Sequence, residues 1–261
     1  MIDFHNHVIP GVDDGAADLE QARAALAALA AQGVHTIVAT PHARASMTHR
    51  AEELAAFGGR IGAAWEALRE VAAAEFPALR LELGAEVMLD LPAADLGDPR
   101  LRLAGTAFAL VEFPFMAAPP NAAQALAALA ASGCRPVLAH PERYPGAGAA
   151  AAEEWRAAGA LLQVNAGSLL GRYGEGPRRA AGEMLARGLA SYVCSDFHAR
   201  GTPHLAAFRE RLADAGAGEQ ASLLLEGNAA LMLRGQPPLP VAPLGEPPRR
   251  SFFGRLFGRG R

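Results

Sequence analysis

A mostly parallel α/β sheet built from repeated βα units is the fold class this sequence predicts, and three observations carry the prediction. Short apolar, β-branched or aromatic runs alternate with longer segments of helical periodicity along most of the chain. Apolar residues make up 51% of the 261 positions, enough for the core of one large α/β barrel or of two small domains. No long linker interrupts residues 1–235, which favours a single unit, because α/β barrels routinely reach this length without a boundary.

Seven runs read as strands: residues 2–5, 36–40, 81–86, 108–113, 136–140, 161–165 and 191–195. The first closes on His5-Asn6-His7, and alternation along an extended strand puts both imidazoles on one side. Between the first two strands Asp18 is an N-cap with Gln21 three residues on. Leu19, Ala22, Leu26 and Leu29 line one face of that helix, and Gly33 lies just past its end. Similar patterns fill residues 50–74, 121–131, 150–158, 176–187 and 203–215, each returning the chain to start the next strand in the same direction. A last helix-like segment spans residues 219–233.

Composition then changes. Residues 235–248 are dense in proline and should be extended or disordered. Beyond them Ser251-Phe252-Phe253-Gly254-Arg255-Leu256-Phe257 mixes aromatic and basic side chains. The expected organisation is one unit over residues 1–234, followed over 235–261 by a proline-rich linker and an Arg/Phe-rich tail. The plainer reading of that tail is disorder; the sharper one is weak docking to an anionic membrane surface or an acidic partner.

Charge and composition exclude several function classes. Arg249, Arg250, Arg255, Arg259 and Arg261 sit in a terminal stretch without acids, so removing their five charges from the formal −3 leaves −8 on the rest. Such a body offers no basic face for nucleic acid. Every basic side chain is arginine, and the absence of lysine removes a Walker-type phosphate loop, Schiff-base chemistry and a metal-bridging lysine carbamate. No apolar segment approaches the length of a membrane span and no secretory signal opens the chain, so a cytoplasmic location is expected, with peripheral contact at the inner membrane face if the tail docks. Cys134 and Cys194 are then expected to be reduced thiols.

Residues of metal-ligand type fall at or just after the C-terminal end of nearly every predicted strand. His5 and His7 close the first, His42 the second, Glu86 the third, Glu112 the fourth, His140 the fifth, and Asp196 with His198 the seventh, while Asp14 lies in the loop after the first. Strand C-termini are where α/β barrels build active sites. Carboxylates ending apolar runs are costly unless paired or coordinated, so their convergence implies cations. Nine mixed imidazole and carboxylate ligands exceed one tetrahedral zinc and suit two or three divalent ions, with manganese, iron and zinc all compatible. Such a cluster supplies hydroxide at neutral pH and clamps the oxygens of an in-line displacement at phosphorus, so an anionic substrate is expected. Arg143, three residues beyond His140, suits bidentate capture of a phosphoryl group.

Together Asp3-Phe4-His5-Asn6-His7, Val12-Asp13-Asp14-Gly15, Thr40-Pro41-His42, Gly84-Ala85-Glu86, Val111-Glu112-Phe113, Ala139-His140-Pro141-Glu142-Arg143-Tyr144 and Ser195-Asp196-Phe197-His198 resemble the polymerase-and-histidinol-phosphatase (PHP) superfamily. Within it the sequence is most similar to the metal-dependent protein-tyrosine phosphatases of bacterial capsule and exopolysaccharide operons. The resemblance implies a distorted seven-stranded (β/α) barrel with a two- or three-ion centre, usually Mn2+. It also implies metal-hydroxide attack on phosphotyrosine and, as partner, the tyrosine-rich tail of a polysaccharide-assembly kinase. By the same resemblance His5, His7, Glu86 and Asp196 hold one ion, Glu86, Glu112 and His140 a second, and Asp14, His42 and His198 a third. Arg143 then binds the phosphoryl group. The family's second phosphate-binding arginine falls in a loop that is shorter here, where Arg200 takes the role from a shifted position. Phe113, Pro114, Phe115 and Met116 are expected either to wall a phenyl ring or to form a packed loop.

Rival readings stay open at this level. A small-molecule phosphomonoesterase such as a histidinol-phosphate phosphatase would share the fold and metals, a mononuclear C–N hydrolase would share the first motif, and a noncatalytic scaffold would use the tail. Oligomers are compatible with all of them. Cys194 to Arg200 also matches the Cys-x5-Arg loop of thiol-based tyrosine phosphatases, but Asp196 inside it would repel phosphate, so Cys194 is expected to be a core residue.

Overall fold

A computed structural model describes residues 1–91 and 94–244; the expected Arg/Phe-rich tail lies outside the described residues. Its strands are β1 (Ile2–Asp3), β2 (Thr36–Ala39), β3 (His42–Arg44), β4 (Arg80–Leu83), β5 (Glu86–Met88), β6 (Phe108–Glu112), β7 (Arg135–Ala139), β8 (Leu161–Asn165) and β9 (Tyr192–Cys194). The α-helices are α1 (Leu19–Ala31), α2 (Ala51–Glu75), α3 (Ala122–Ala131), α4 (Ala149–Ala157), α5 (Ala166–Leu169), α6 (Glu175–Ala186), α7 (Leu205–Asp214), α8 (Gly218–Ser222) and α9 (Asn228–Leu233). The predicted α/β class is the observed one: among the described residues all strand pairings are parallel, and α-helices return the chain from β1 to β2, β3 to β4, β6 to β7, β7 to β8 and β8 to β9.

The seven expected strands are nine among the described residues, in two sheets ordered β1-β2-β4 and β3-β5-β6-β7-β8-β9, neither of them closed. One extra strand, β3, lies just past the expected run 36–40, and the other, β5, comes from a break inside the expected run 81–86. Pro41, which has no N–H to give a ladder, lies between β2 and β3, and Gly84 with Ala85 separates β4 from β5. Gly84 has little room for a side chain, since a Cβ there would lie 3.2 Å from the Leu103 backbone. Hydrogen bonds nevertheless cross the gap: Gly84 N donates to Ala39 O (2.8 Å) and Glu86 N to Pro41 O (3.1 Å). At the other margin Asn6 bridges in parallel to Phe197, flanked by Asp196 N to His5 O (2.8 Å) and His7 N to Phe197 O (2.9 Å). Asp3 reinforces this seam, because its buried carboxylate accepts from Ser195 N (3.0 Å) and Ser195 Oγ (2.6 Å).

Alternation divides the strand side chains between two apolar clusters. Ile2, Phe4, Val38, Phe108, Leu110, Val137, Ala139, Tyr192 and Cys194 meet one another and Met232 of α9. Ile37, Val111, Leu138, Leu162, Val164 and Val193 belong to the larger cluster with residues of the surrounding helices. Along β6 the first face runs Phe108, Leu110, Glu112, so it is apolar at its start and acidic at its C-terminal end. That gradient delivers polar groups to one end of the molecule.

Local signals behave as the sequence predicts around α1. Asp18 Oδ1 accepts from Gln21 N (2.8 Å), Gln21 Oε1 accepts from Ala17 N (3.2 Å), and Gly33 follows the helix at φ +84°. The helix expected over residues 219–233 is split by a π segment, Leu223–Gly227. Asn228 follows it, fully buried, and its amide donates to Ser191 O and Leu239 O (both 3.0 Å). Residues 236–244 are without helix or strand and lie against the body, with Val241 and Leu244 buried.

Candidate metal centre

All nine predicted ligand residues converge at the C-terminal ends of the parallel strands. His5 and His7 follow β1, His42 opens β3, Glu86 opens β5, Glu112 ends β6, His140 follows β7, and Asp196 with His198 follows β9. The strand breaks matter here, since they set His42 and Glu86 at the start of re-aimed segments paired in register. Glu86 is the hub: Oε1 lies 3.2 Å from His5 Nε2 and 3.0 Å from His140 Nε2, while Oε2 lies 3.4 Å from His7 Nε2 and 3.2 Å from His42 Nδ1. Asp196 Oδ1 is 3.3 Å from His5 Nε2, 3.6 Å from His7 Nε2 and 3.5 Å from His198 Nδ1. Asp14 Oδ1 is 3.4 Å from both His42 Nε2 and His198 Nε2, and Glu112 lies 3.6 Å from His42 and 3.8 Å from His140.

Four groups of these residues have ligand atoms within 4.8 Å of one another: His7-Asp14-His42-His198, His5-His7-Asp196, His5-Glu86-His140 and His42-Glu86-Glu112. His5, His7, His42 and Glu86 each belong to two groups, whereas the partition implied by the resemblance shares Glu86 alone.

The chemistry of this donor set fits divalent cations. His5 Nε2 and His7 Nε2 are buried and make no hydrogen bond among the described residues, although each faces carboxylate oxygens. A ring nitrogen aimed at an acid but bonded to nothing is what a coordinating lone pair presents. Burial opposes ionisation here, yet the carboxylates dominate. Burial alone would lower His5, but Glu86 and Asp196 push it up to about 9. Burial would likewise raise Glu86, and His5 and His140 hold it well below the usual carboxylate range. Burial, then the charge of Glu86, pushes Glu112 up to about 7. Left to itself the cluster thus needs protons to offset its acids, and divalent ions offer the same compensation.

Three supporting residues were not singled out from the sequence. Asp13 accepts from His7 Nδ1 (2.9 Å), from Gly15 N (3.0 Å) and from His42 N (3.2 Å). Gln163 Oε1 lies 2.7 Å from His5 Nδ1 and its Nε2 donates to Asn165 Oδ1 (2.9 Å). Asn165 Nδ2 donates in turn to Asp196 Oδ2 (2.7 Å). These bonds fix ring orientation and ligand basicity, the usual task of groups behind a metal shell. The i, i+2 polar pair ending the apolar run of β8 was the available signal. Backbone conformation was not readable at all: His140 (φ 34°) and Asp196 (φ 52°) within the cluster, and Ala199 (φ 56°) just past His198, take left-handed conformations.

Arg143 Nη1 donates to Asp196 Oδ2 (2.9 Å), so the first predicted phosphate-binding arginine borders the cluster. Arg200 Nη2 donates to Asp14 O (2.6 Å), which ties the second to the loop holding Asp14. The four-residue wall expected after Glu112 divides. Phe113 is buried and its N–H donates to Tyr144 Oη (3.0 Å), whereas Phe115 is 98% exposed at φ 55°. Cys194 is fully buried in the strand core, and burial pushes its thiol well above the ordinary range, the opposite of an activated nucleophile.

Fold and site together define a class: parallel α/β proteins that gather imidazoles and carboxylates at strand C-termini, as metal-dependent hydrolases do. A family model described as capsular polysaccharide synthesis, CpsB/CapC, matches residues 1–234, and the chain belongs to that family. It is 32% identical to the tyrosine-protein phosphatase YwqE of Bacillus subtilis (strain 168), over 97% of this chain and 99% of that protein. It is 34% identical to the tyrosine-protein phosphatase CpsB of Streptococcus pneumoniae over 55% of this chain and 58% of that one. The structure superposes on one from the crystal structures of YwqE and CpsB, described as unique metal-dependent tyrosine phosphatases. The TM-score is 0.73 at 28% identity, covering 93% of this chain and all of the other.

Proposed function

We propose that this chain is a metal-dependent protein-tyrosine phosphatase of capsule or exopolysaccharide biosynthesis, acting by direct attack of water-derived hydroxide on phosphotyrosine. The observation that carries the reading is the pair of buried, unbonded imidazole nitrogens of His5 and His7 aimed at Glu86 and Asp196. Near full-length similarity to YwqE supports the substrate class. His5, His7, Glu86 and Asp196 would hold one ion, Glu86, Glu112 and His140 a second, and Asp14, His42 and His198 a third, with manganese the expected metal. When bound, such ions lower the pKa of a water and neutralise charge on the phosphoryl oxygens.

The remaining work falls to the chain's own groups. Arg143 borders the cluster through Asp196, and its other guanidinium nitrogens make no hydrogen bond to protein among the described residues. They are the donors for two phosphoryl oxygens, with Arg200 adding charge from the Asp14 side. The exposed ring of Phe115 suits the substrate's apolar surface near the rim. We read the two sheets as one distorted seven-stranded barrel, supported by the bonds across the β2–β3 and β4–β5 breaks and by the Asn6–Phe197 seam. The partner would be the phosphotyrosine tail of a polysaccharide-assembly kinase, met at the cytoplasmic face of the membrane.

Steady-state kinetics on a phosphotyrosine peptide and on histidinol phosphate test the reading. The expected result is a strong preference for the peptide, abolished by chelation and by His140→Ala in a folded variant. Preference for histidinol phosphate would reassign the substrate, and wild-type rates in His140→Ala would discard the proposed centre.

A further inference from the structure

Tyr173 takes no part in the ligand cluster, yet three features place it beside the cluster with unusual definition. Its ring lies under the Arg143 guanidinium, with Cζ 4.6 Å from the ring centroid. It also rests on Gly167, where a Cβ would come within 3.0 Å of Tyr173 Cε2 and 3.6 Å of its Oη. The loop that carries it, Gly171-Arg172-Tyr173-Gly174, joins α5 to α6 and turns through two glycines at φ +79° and +94°. The ring remains 40% exposed, so core burial does not explain its seat.

Arginine has a long, rotamer-rich side chain, and among the described residues Arg143 makes a single hydrogen bond to protein, from Nη1 to Asp196 (2.9 Å). An aromatic face under the guanidinium plane removes the swing that a single hydrogen bond permits, and the planar cation is attracted to the ring's negative face. Bidentate capture of a phosphoryl group depends on that plane being set in advance.

We propose that Tyr173, seated on Gly167, is a positioning residue for phosphate capture: its ring holds the Arg143 guanidinium so that the donors not used by Asp196 face an incoming phosphoryl group. The inference rests on the assignment of Arg143 as a phosphate-binding residue. It requires the ring face and not the hydroxyl, so Tyr173→Phe retains the function and Tyr173→Leu, which keeps apolar bulk without a π face, does not.

The test uses the full-length chain loaded with Mn2+. KM and kcat on a phosphotyrosine peptide are measured together with the affinity for inorganic phosphate and with metal content, in wild type, Y173F, Y173L and G167A. The expected result is a rise of about tenfold in both KM and the phosphate dissociation constant for Y173L and G167A. Their kcat and metal content stay near wild type, and Y173F matches wild type throughout. In an Arg143→Ala background Y173L adds nothing further. Unchanged phosphate affinity in Y173L, or a loss explained by lost metal, would overturn the proposal, as would an additive effect in the Arg143→Ala background. A wild-type chain that binds phosphate but hydrolyses no phosphotyrosine would sink the proposed function alone, since the phosphate measurement still decides the role of Tyr173.

Discussion

Glu86 is 1% exposed and touches four imidazoles, from His5, His7, His42 and His140. The groups behind the ligands set how firmly they are held. Gln163→Ala leaves His5 Nδ1 without its acceptor, and Mn2+ affinity should fall by about 10- to 100-fold, measured by titration calorimetry. An unchanged affinity would remove Gln163 from the account. Cys194 offers the converse case, a residue whose motif suggests chemistry while its buried, unionised thiol forbids it. Cys194→Ser should keep turnover on phosphotyrosine within about threefold of wild type, at a stability cost of about 1–2 kcal/mol in urea unfolding. Loss of turnover with fold and metal intact would restore the thiol mechanism.

Among elements, strands and helices were readable because periodicity and apolar runs report burial, and Asp18 with Gln21 marked the start of α1 as its structure bears out. The strand that resumes after Pro41 was not expected, and the break at Gly84-Ala85 was not read as one, although both places carry residues that interrupt ladders. They depend on long-range contacts, such as Leu103 against Gly84, that no local window contains. The same holds for the left-handed His140 and Asp196, whose conformations are imposed by the surrounding loops. Loop geometry can be tested at Gly15, where a Cβ would fall 2.0 Å from the His7 carbonyl oxygen, too close for any local adjustment. Gly15→Ala should displace the turn carrying Asp13 and Asp14, lowering metal affinity by at least about tenfold while circular dichroism still reports the wild-type fold. Wild-type metal affinity in that variant would show that the turn does not hold the site.

For the whole molecule, the sequence made the α/β class and the site's composition legible, because nine residues of ligand type at or near strand ends form a pattern that survives errors in any one strand. What it could not give was the sharing of His5, His7 and His42 between groups, which arises when seven chain segments meet at one end of the sheets. The charge distribution belongs to the same scale. A formal −8 outside the terminal arginines would disfavour phosphopeptides, so under the proposed function binding would depend on Arg143, Arg200 and cations in the cluster to make a local positive field. Removal of those cations should therefore abolish substrate binding as well as chemistry. The most direct measurement is turnover of a phosphotyrosine peptide as Mn2+ is added back to chelated protein, with bound metal per chain determined on the same samples by elemental analysis. Activity should be absent in the chelated protein and saturate as occupancy reaches about two to three ions per chain. Full turnover at zero or one ion per chain, or a fully loaded chain without turnover, would contradict the account.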